Sequence, residues 1–307
     1  MKPIQSWRFM IVILWVMAST VKGQQRTQFT QYLFSGLVIN PAYAGSEESL
    51  SITLINRHQW RSVEGAPTTQ TLALQTPVGK KKVGLGLLIS NDKIGIHRNL
   101  FVQASVAYHL QVAPSAYLSM GLQTGLQHVR SDYASLVGTS SLDPKLSEFR
   151  LNEMFIDMGA GIYFRSQRLH VGISAPGWLN QSVQINDTAS FKLRNINLFG
   201  FTKYKIPLGP VWVLEPAILL KHYQLLPLSM DVTGAVTYKE VLTAGLSFRL
   251  NESLGYIFRA KVTPQLHVGY AYDYPMGLVT RLGAGSHEFM VHYLFKYQKS
   301  GIKSPRI

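Results

Sequence analysis

Hydrophobic and polar residues alternate through most of residues 49–297, in segments of roughly ten residues separated by turns. Residues 100–111 show the pattern. Leu100, Val102, Ala104, Val106, Tyr108 and Leu110 fall on one face, and Phe101, Gln103, Ser105, Ala107, His109 and Gln111 on the other. Successive side chains of a strand point to opposite faces, so a period of two predicts strands and no stable helix. Repeated over this length, the pattern predicts a closed antiparallel sheet whose apolar face meets lipid and whose polar face looks inward. An open edge in lipid would leave backbone donors and acceptors unpaired. The expected fold is therefore all-β, a transmembrane up-and-down barrel of about 14 strands. The strands are expected near 49–60, 68–77, 82–91, 98–112, 115–129, 153–165, 167–175, 191–206, 211–223, 228–238, 241–250, 253–263, 265–273 and 286–297.

The connections alternate in length. Short joints at 78–81, 113–114, 166–167, 207–210, 239–240 and 264 fall on one side. Longer ones at 61–67, 91–97, 130–152, 176–190 and 274–285 fall on the other, where only the joints near Gln224 and Asn251 are short. Bacterial barrels place short turns in the periplasm and long loops outside, which fits an N-terminus on the periplasmic side.

Inward parity then carries the polar load. Asp157, Glu215, Lys221, Asp231, Arg249, Arg259, Lys261, Asp273, Glu288, His292 and Lys296 are assigned to the lumen. The same strands turn Leu266, Val268, Tyr270 and Tyr272, or Phe289, Val291, Tyr293 and Phe295, outward. A charge on the lipid face costs ~2–4 kcal/mol at the midplane, so this parity is nearly forced. Many of the 15 tyrosines fall near strand ends, as interfacial aromatic girdles do.

Composition adds the compartment. Lys2 and Arg8 precede a short apolar run, residues 9–18, suited to a signal-peptide core and too short to span a bilayer. Cleavage is expected near residue 23, giving a signal peptide over 1–23, an N-terminal periplasmic collar over 24–48, the barrel over 49–297 and a polar tail over 298–307. The expected location is the outer membrane of a Gram-negative bacterium. With no cysteine, disulfides, thiolate metal sites and lipoprotein processing are excluded. Removing Lys2, Arg8 and Lys22 with the signal leaves 27 basic against 16 acidic residues. Export argues against nucleic acid as the partner, and charges at turns and rims near anionic lipid are the favoured reading.

No segment carries a recognisable catalytic motif. His287–His292 superficially resembles a zinc-protease motif, but it has one residue too many between the histidines and lies on a strand. There His287 and Glu288 point to opposite faces. The pairs Gly84 and Gly86, Gly121 and Gly125, and Gly159 and Gly161 sit inside strands with no helix following, so they read as places of curvature or close packing rather than phosphate loops. No enzymatic activity, cofactor or metal is expected. Residues 30–45 stand apart from the strands. Asn40-Pro41-Ala42-Tyr43-Ala44-Gly45 begins as a turn and ends in small residues. The segment is expected at the periplasmic rim or folded into the lumen, as a structural seal or as a partner contact.

At these residues the chain resembles a known family, the PorP/SprF membrane proteins of the type IX secretion system of Bacteroidota. The resemblance is carried in order by Gln31-Tyr32, Asn40–Gly45, Arg57-His58-Gln59-Trp60, Gly65-Ala66-Pro67-Thr68-Thr69-Gln70, Gly84-Leu85-Gly86, Asn91-Asp92-Lys93-Ile94-Gly95, Gly269-Tyr270-Ala271-Tyr272-Asp273 and Gly285-Ser286-His287-Glu288. It implies a non-enzymatic outer-membrane barrel serving secretion and gliding. The implied partners are the C-terminal domain of a large surface adhesin, or periplasmic components that include a ring lipoprotein complex and a peptidoglycan-binding protein. An adhesin would be received by 130–152, 176–190 and the lumen. A periplasmic partner would meet Asn40, Pro41, Ala42, Tyr43 and Gly45 together with Lys80, Lys81 and Lys82. The competing expectation is a passive or substrate-selective pore. For a barrel of this size, a narrow or plugged lumen fits better than a wide one.

Overall fold

The computed structural model describes residues 28–47, 49–79, 82–133, 150–186, 189–223, 227–277, 280 and 284–295. Fourteen long strands and one two-residue strand form a single antiparallel sheet. They are β1 (Leu50–His58), β2 (Thr68–Val78), β3 (Val83–Ile94), β4 (His97–Ala113), β5 (Ala116–Asp132), β6 (Arg150–Arg165), β7 (Leu169–Asn186), β8 (Ala189–Tyr204), β9 (Ile206–Pro207), β10 (Trp212–Tyr223), β11 (Ser229–Tyr238), β12 (Leu242–Arg249), β13 (Ser253–Lys261), β14 (Leu266–Pro275) and β15 (Ser286–Phe295). Each strand pairs with its neighbour in sequence, the short β9 lies against β10, and β15 pairs with β1 from Leu50↔Phe295 to His58↔His287. The sheet is thus a closed barrel of the expected strand number.

The alternation read from the sequence is the alternation of exposure. On β4, Val102, Val106, Tyr108 and Leu110 are exposed while Gln103, Ser105, Ala107 and His109 are buried. Leu122 and Ile173 on the outer wall are 64% and 68% exposed, apolar contact surface that lipid would cover. Aromatic pairs mark the end of the barrel where β1 begins: Trp212 stacks on Tyr238 with centroids 4.5 Å apart, and Tyr293 meets Phe295 at 4.7 Å. That end also carries the short connections before β3, β5, β7, β12 and β14, which identifies it as periplasmic.

The outer end departs from the sequence reading. Residues 91–97 are not a loop, because β3 and β4 pair up to Ile94↔His97 and turn through Gly95 and Ile96. Most of 176–190 is likewise paired strand, running to Asn186↔Ala189. Apolar alternation reports only the part of a strand that faces lipid, whereas the backbone ladder continues above the membrane. Strands β4–β8 are 16–18 residues long, against 8–12 for the other long strands, so one side of the wall rises well above the other.

The tall side divides. β7 pairs with β6 only from Ala160↔Ala175 to Arg165↔His170. At Pro176 the β7–β8 register shifts between Ser174 and Gly177. Proline has no N–H to give a ladder, so a bulge is its ordinary place in a strand. Above it, residues 177–186 pair only with β8, and β8 meets β10 only over Asn197–Lys203. Among the described residues, 177–196 therefore form a two-stranded arm with both edges unpaired.

Candidate functional site

Among the described residues, the inward face is filled by the chain itself. Residues 28–47 run down through the lumen as a plug, in three single 3-10 turns: Tyr32–Phe34, Gly36–Val38 and Pro41–Tyr43. A chain without regular structure must find partners for its backbone groups elsewhere. Here the barrel wall supplies many of them.

The outermost attachment is ionic. Arg57 on β1 lies 2.6 Å from Asp273 on β14 and 2.9 Å from Glu288 on β15, and all three are buried. Glu288 accepts hydrogen bonds from the backbone N–H groups of Thr30 and Gln31, both at 2.9 Å. Thr30 Oγ1 donates to Asp273 and accepts from Arg57 Nη1 at 3.1 Å. Two carboxylates, one guanidinium and two plug amides thus bind one another in a buried layer, with Arg249 3.9 Å from Asp273 and the Arg57 Nε left without a hydrogen-bond partner. A second group adjoins it. Asp231 holds Lys221 at 2.8 Å and Arg249 at 3.1 Å, and Lys221 also donates to Gln28 at 2.7 Å. Buried charges are tolerated only when paired and hydrogen-bonded in this way.

The middle of the plug is apolar. Tyr32, Leu33 and Ile39 pack against Phe199, Leu219 and Tyr223, while Leu37 and Ala44 pack against Ala73, Leu88 and Ala107. The Tyr32 hydroxyl keeps its polar end satisfied through Thr233, 2.9 Å away.

The lower attachment is Asn40–Ser46. Asn40 accepts from the Ala42 N–H at 2.9 Å, which closes the turn over Pro41, and donates to the Ile162 carbonyl of β6 at 3.0 Å. The Gly45 N–H donates to Gln75, His109 Nε2 donates to the Ala44 carbonyl, and Arg165 donates to the Ser46 carbonyl. Two wall glycines make this approach possible. A Cβ on Gly84 would collide with the backbone of Ala44 and Gly45, and one on Gly121 with that of Pro41 and Ala42. Of the strand glycines of the sequence, Gly84, Gly86, Gly121 and Gly161 are thus seats for the plug, while Gly125 and Gly159 sit close to neighbouring wall strands.

The residues singled out from sequence fall as follows. Asp157, Lys221, Asp231, Arg249, Asp273, Glu288 and His292 are buried on the lumen side. Asp157 fastens the base of the free arm, accepting from the Trp178 N–H at 3.0 Å and from Gln103 at 3.1 Å. Glu215, Arg259 and Lys261 line a cavity of about 490 Å³ at the periplasmic end, with Lys203, Lys205 and Glu47, and the plug residues Leu33, Phe34 and Tyr43 close it inward. Arg259 stacks over the Phe34 ring at 4.5 Å. Asn40, Pro41, Ala42 and Gly45 are buried and Tyr43 is half-buried, so this stretch is spent on the wall rather than offered to a periplasmic partner. Lys82 is exposed on the β2–β3 turn. Lys80, Lys81, Lys296, the signal segment over 1–23 and the tail over 298–307 lie outside the described residues. Sequence reasoning did not single out Thr30 or Arg57 as site residues. The signal that could have found Arg57 is parity, because it shares a face with the buried Ser51, Thr53 and Ile55, and an inward arginine needs acidic partners.

Most of the segments that carried the resemblance in the sequence meet at the two attachments, while residues 65–70 and 91–95 pair with each other at the outer end. Gln31, Arg57, Asp273 and Glu288 come together at the outer one, and Asn40–Gly45 rests on Gly84 at the lower one. Among solved structures, the chain is similar to the CymD monoaromatic hydrocarbon channel, at 13% identity over 86% of this chain and 93% of that one, with a TM-score of 0.49. It is also similar to the P. putida toluene transporter TodX, at 12% identity over 86% and 94%, TM-score 0.47, and to the KdgM porin, at 10% over 80% and 99%, TM-score 0.40. No curated protein matches the chain. A family model described as type IX secretion system membrane protein PorP/SprF matches residues 21–293, and the chain belongs to that family.

Proposed function

We propose that this protein is a non-enzymatic, plugged outer-membrane barrel of the type IX secretion and gliding machinery. In this reading it holds a surface adhesin, or assists its export, at its outer face. The observation that carries the reading is the two-stranded arm 177–196, whose edges are unpaired among the described residues, rising beside a lumen filled by residues 28–47. An unpaired edge above the membrane is a template for one more strand, and strand addition supplies affinity through backbone hydrogen bonds with little demand on sequence. The terminal strand of an adhesin domain suits that edge. The plug counts against the alternative of a passive or substrate-selective pore, because it leaves the periplasmic cavity with an inner wall. On the periplasmic side, Lys82 with Lys80 and Lys81 offers positive charge to an acidic component such as the ring lipoprotein complex or the peptidoglycan-binding protein.

Crosslinking in the native outer membrane tests the assignment. A tagged barrel is expected to capture an adhesin through its C-terminal domain, and removal of residues 178–195 is expected to abolish capture while the barrel stays inserted. Retention of the adhesin without the arm would sink the reading. Capture of periplasmic ring proteins alone, lost on charge reversal at Lys80, Lys81 and Lys82 and weakened by salt, would move the function to the periplasmic face.

A further inference from the structure

The outward face of β3–β6 carries a second pattern, independent of the lumen. Its apolar belt can be followed row by row through the strand register. On β4 it runs from Leu110 at the periplasmic end to Leu100 at the outer end. Ten residues cover roughly 34 Å along a strand, or about 26 Å of membrane thickness after a tilt near 40°, which matches the apolar band of an outer-membrane barrel. The topmost row that still carries apolar residues reads Asn91, Leu100, His128 and Met154 across β3–β6.

The next row outward is cationic. Lys93 pairs with Arg98, Arg98 with Arg130, and Arg130 with Asn152, so three basic side chains stand side by side on neighbouring strands. Lys93, Arg98 and Arg130 are all exposed. Like charges directly opposite one another destabilise a sheet. The wall does little to relieve this. Among the described residues, no carboxylate forms an ion pair with any of the three. Arg130 is steadied through its Nε, which donates to Asn152 Oδ1 and to His128 Nε2, both at 3.2 Å. That leaves its terminal nitrogens without a hydrogen bond among the described residues. An anion shared by the three cations would turn mutual repulsion into charge-assisted hydrogen bonds. Guanidinium forks suit the oxygens of a phosphate.

The height of the row names the source. It lies one register step above the last apolar row, at the level of outer-leaflet headgroups, with the belt beneath it available to acyl chains. We propose that Lys93, Arg98 and Arg130 form a binding site for the phosphate of a phosphorylated glycolipid of the outer leaflet, the lipopolysaccharide class. The site fixes the height and rotation of the barrel in the membrane and does not depend on the adhesin reading.

Binding of purified barrel to lipopolysaccharide, compared with the same material after dephosphorylation, tests this. The triple variant Lys93→Gln, Arg98→Gln, Arg130→Gln is set against a control with equal charge loss at the periplasmic turns, Lys82→Gln, Arg168→Gln, Lys239→Gln. The native barrel and the control are expected to bind the phosphorylated lipid alike. The triple variant, or removal of the phosphate, is expected to weaken binding by about tenfold or more, the scale of one charge-assisted hydrogen bond. Heat-modifiable gel migration checks folding, and Arg98→Gln alone replaces the triple variant if the latter fails to fold. Equal binding of dephosphorylated lipid, an equal loss in the control, or inorganic phosphate binding as tightly as the lipid would each overturn the proposal.

Discussion

Arg57 shows how much one side chain decides. It bridges Asp273 and Glu288 on two strands and donates to Thr30 of the plug, all in a buried layer. Replacing it with Met leaves Glu288 without its cation and Asp273 with only the more distant Arg249, 3.9 Å away. Removing one partner of a buried pair costs about 3–5 kcal/mol, so Arg57→Met is expected to lower the urea midpoint of the folded barrel clearly. Because the pair is buried, added salt should change the difference little. The glycine seats predict a smaller, directional effect. Gly121→Val pushes against the backbone of Pro41 and Ala42, an overpacking worth about 1–3 kcal/mol. That cost falls on the seating of the plug rather than on strand pairing. Its expected signature is faster proteolysis near residues 40–45 with heat-modifiability unchanged.

Among the elements, the plug and the arm are separable. The plug has no regular structure of its own beyond three short turns, so the wall holds it and its removal costs no strand pairing. Deleting residues 28–47 is expected to expose the buried charges to water in an open lumen. In planar bilayers the intact protein should conduct little and the deletion variant steadily, with a synthetic peptide of that segment restoring the block. Steady conductance by the intact barrel would show that the plug does not seal it. The arm is held to the wall by the β6–β7 pairs below Pro176 and by Asp157, which accepts from the Trp178 N–H. Asp157→Ala removes that fastening from a buried site, a loss of roughly 1–3 kcal/mol. It is expected to raise amide exchange in 177–186 while leaving β1–β5 unchanged.

At the scale of the whole molecule, closure and asymmetry act together. The β15–β1 pairing closes the sheet, and an unpaired backbone group in lipid costs several kcal/mol. Among the described residues, the free edges lie toward the outer end, on β6 above Ala160 and along the arm formed by β7 and β8. A partner that adds a strand is therefore met from the outer side, beside a lumen already filled.

Strand number and closure were legible in the sequence, because the lipid face tolerates few polar groups and the side-chain period of a strand is fixed at two. Leu100–Gln111 reads correctly for that reason. Where strands rise out of the membrane this constraint ends, so 91–97 and 176–190 look like loops although backbone pairing continues through them. Residues 30–45 were legible as a segment set apart, and Gly84, Gly121 and Gly161 as sites of close packing. Which end of the barrel the segment occupies, and that it fills the lumen, follows from contacts more than two hundred residues apart, such as Thr30 with Glu288. A local pattern encodes the face on which a residue lies. Only the closed sheet brings Arg57, Asp273 and Glu288 to one height around Thr30, and only the strand register sets Lys93, Arg98 and Arg130 side by side on the outer wall.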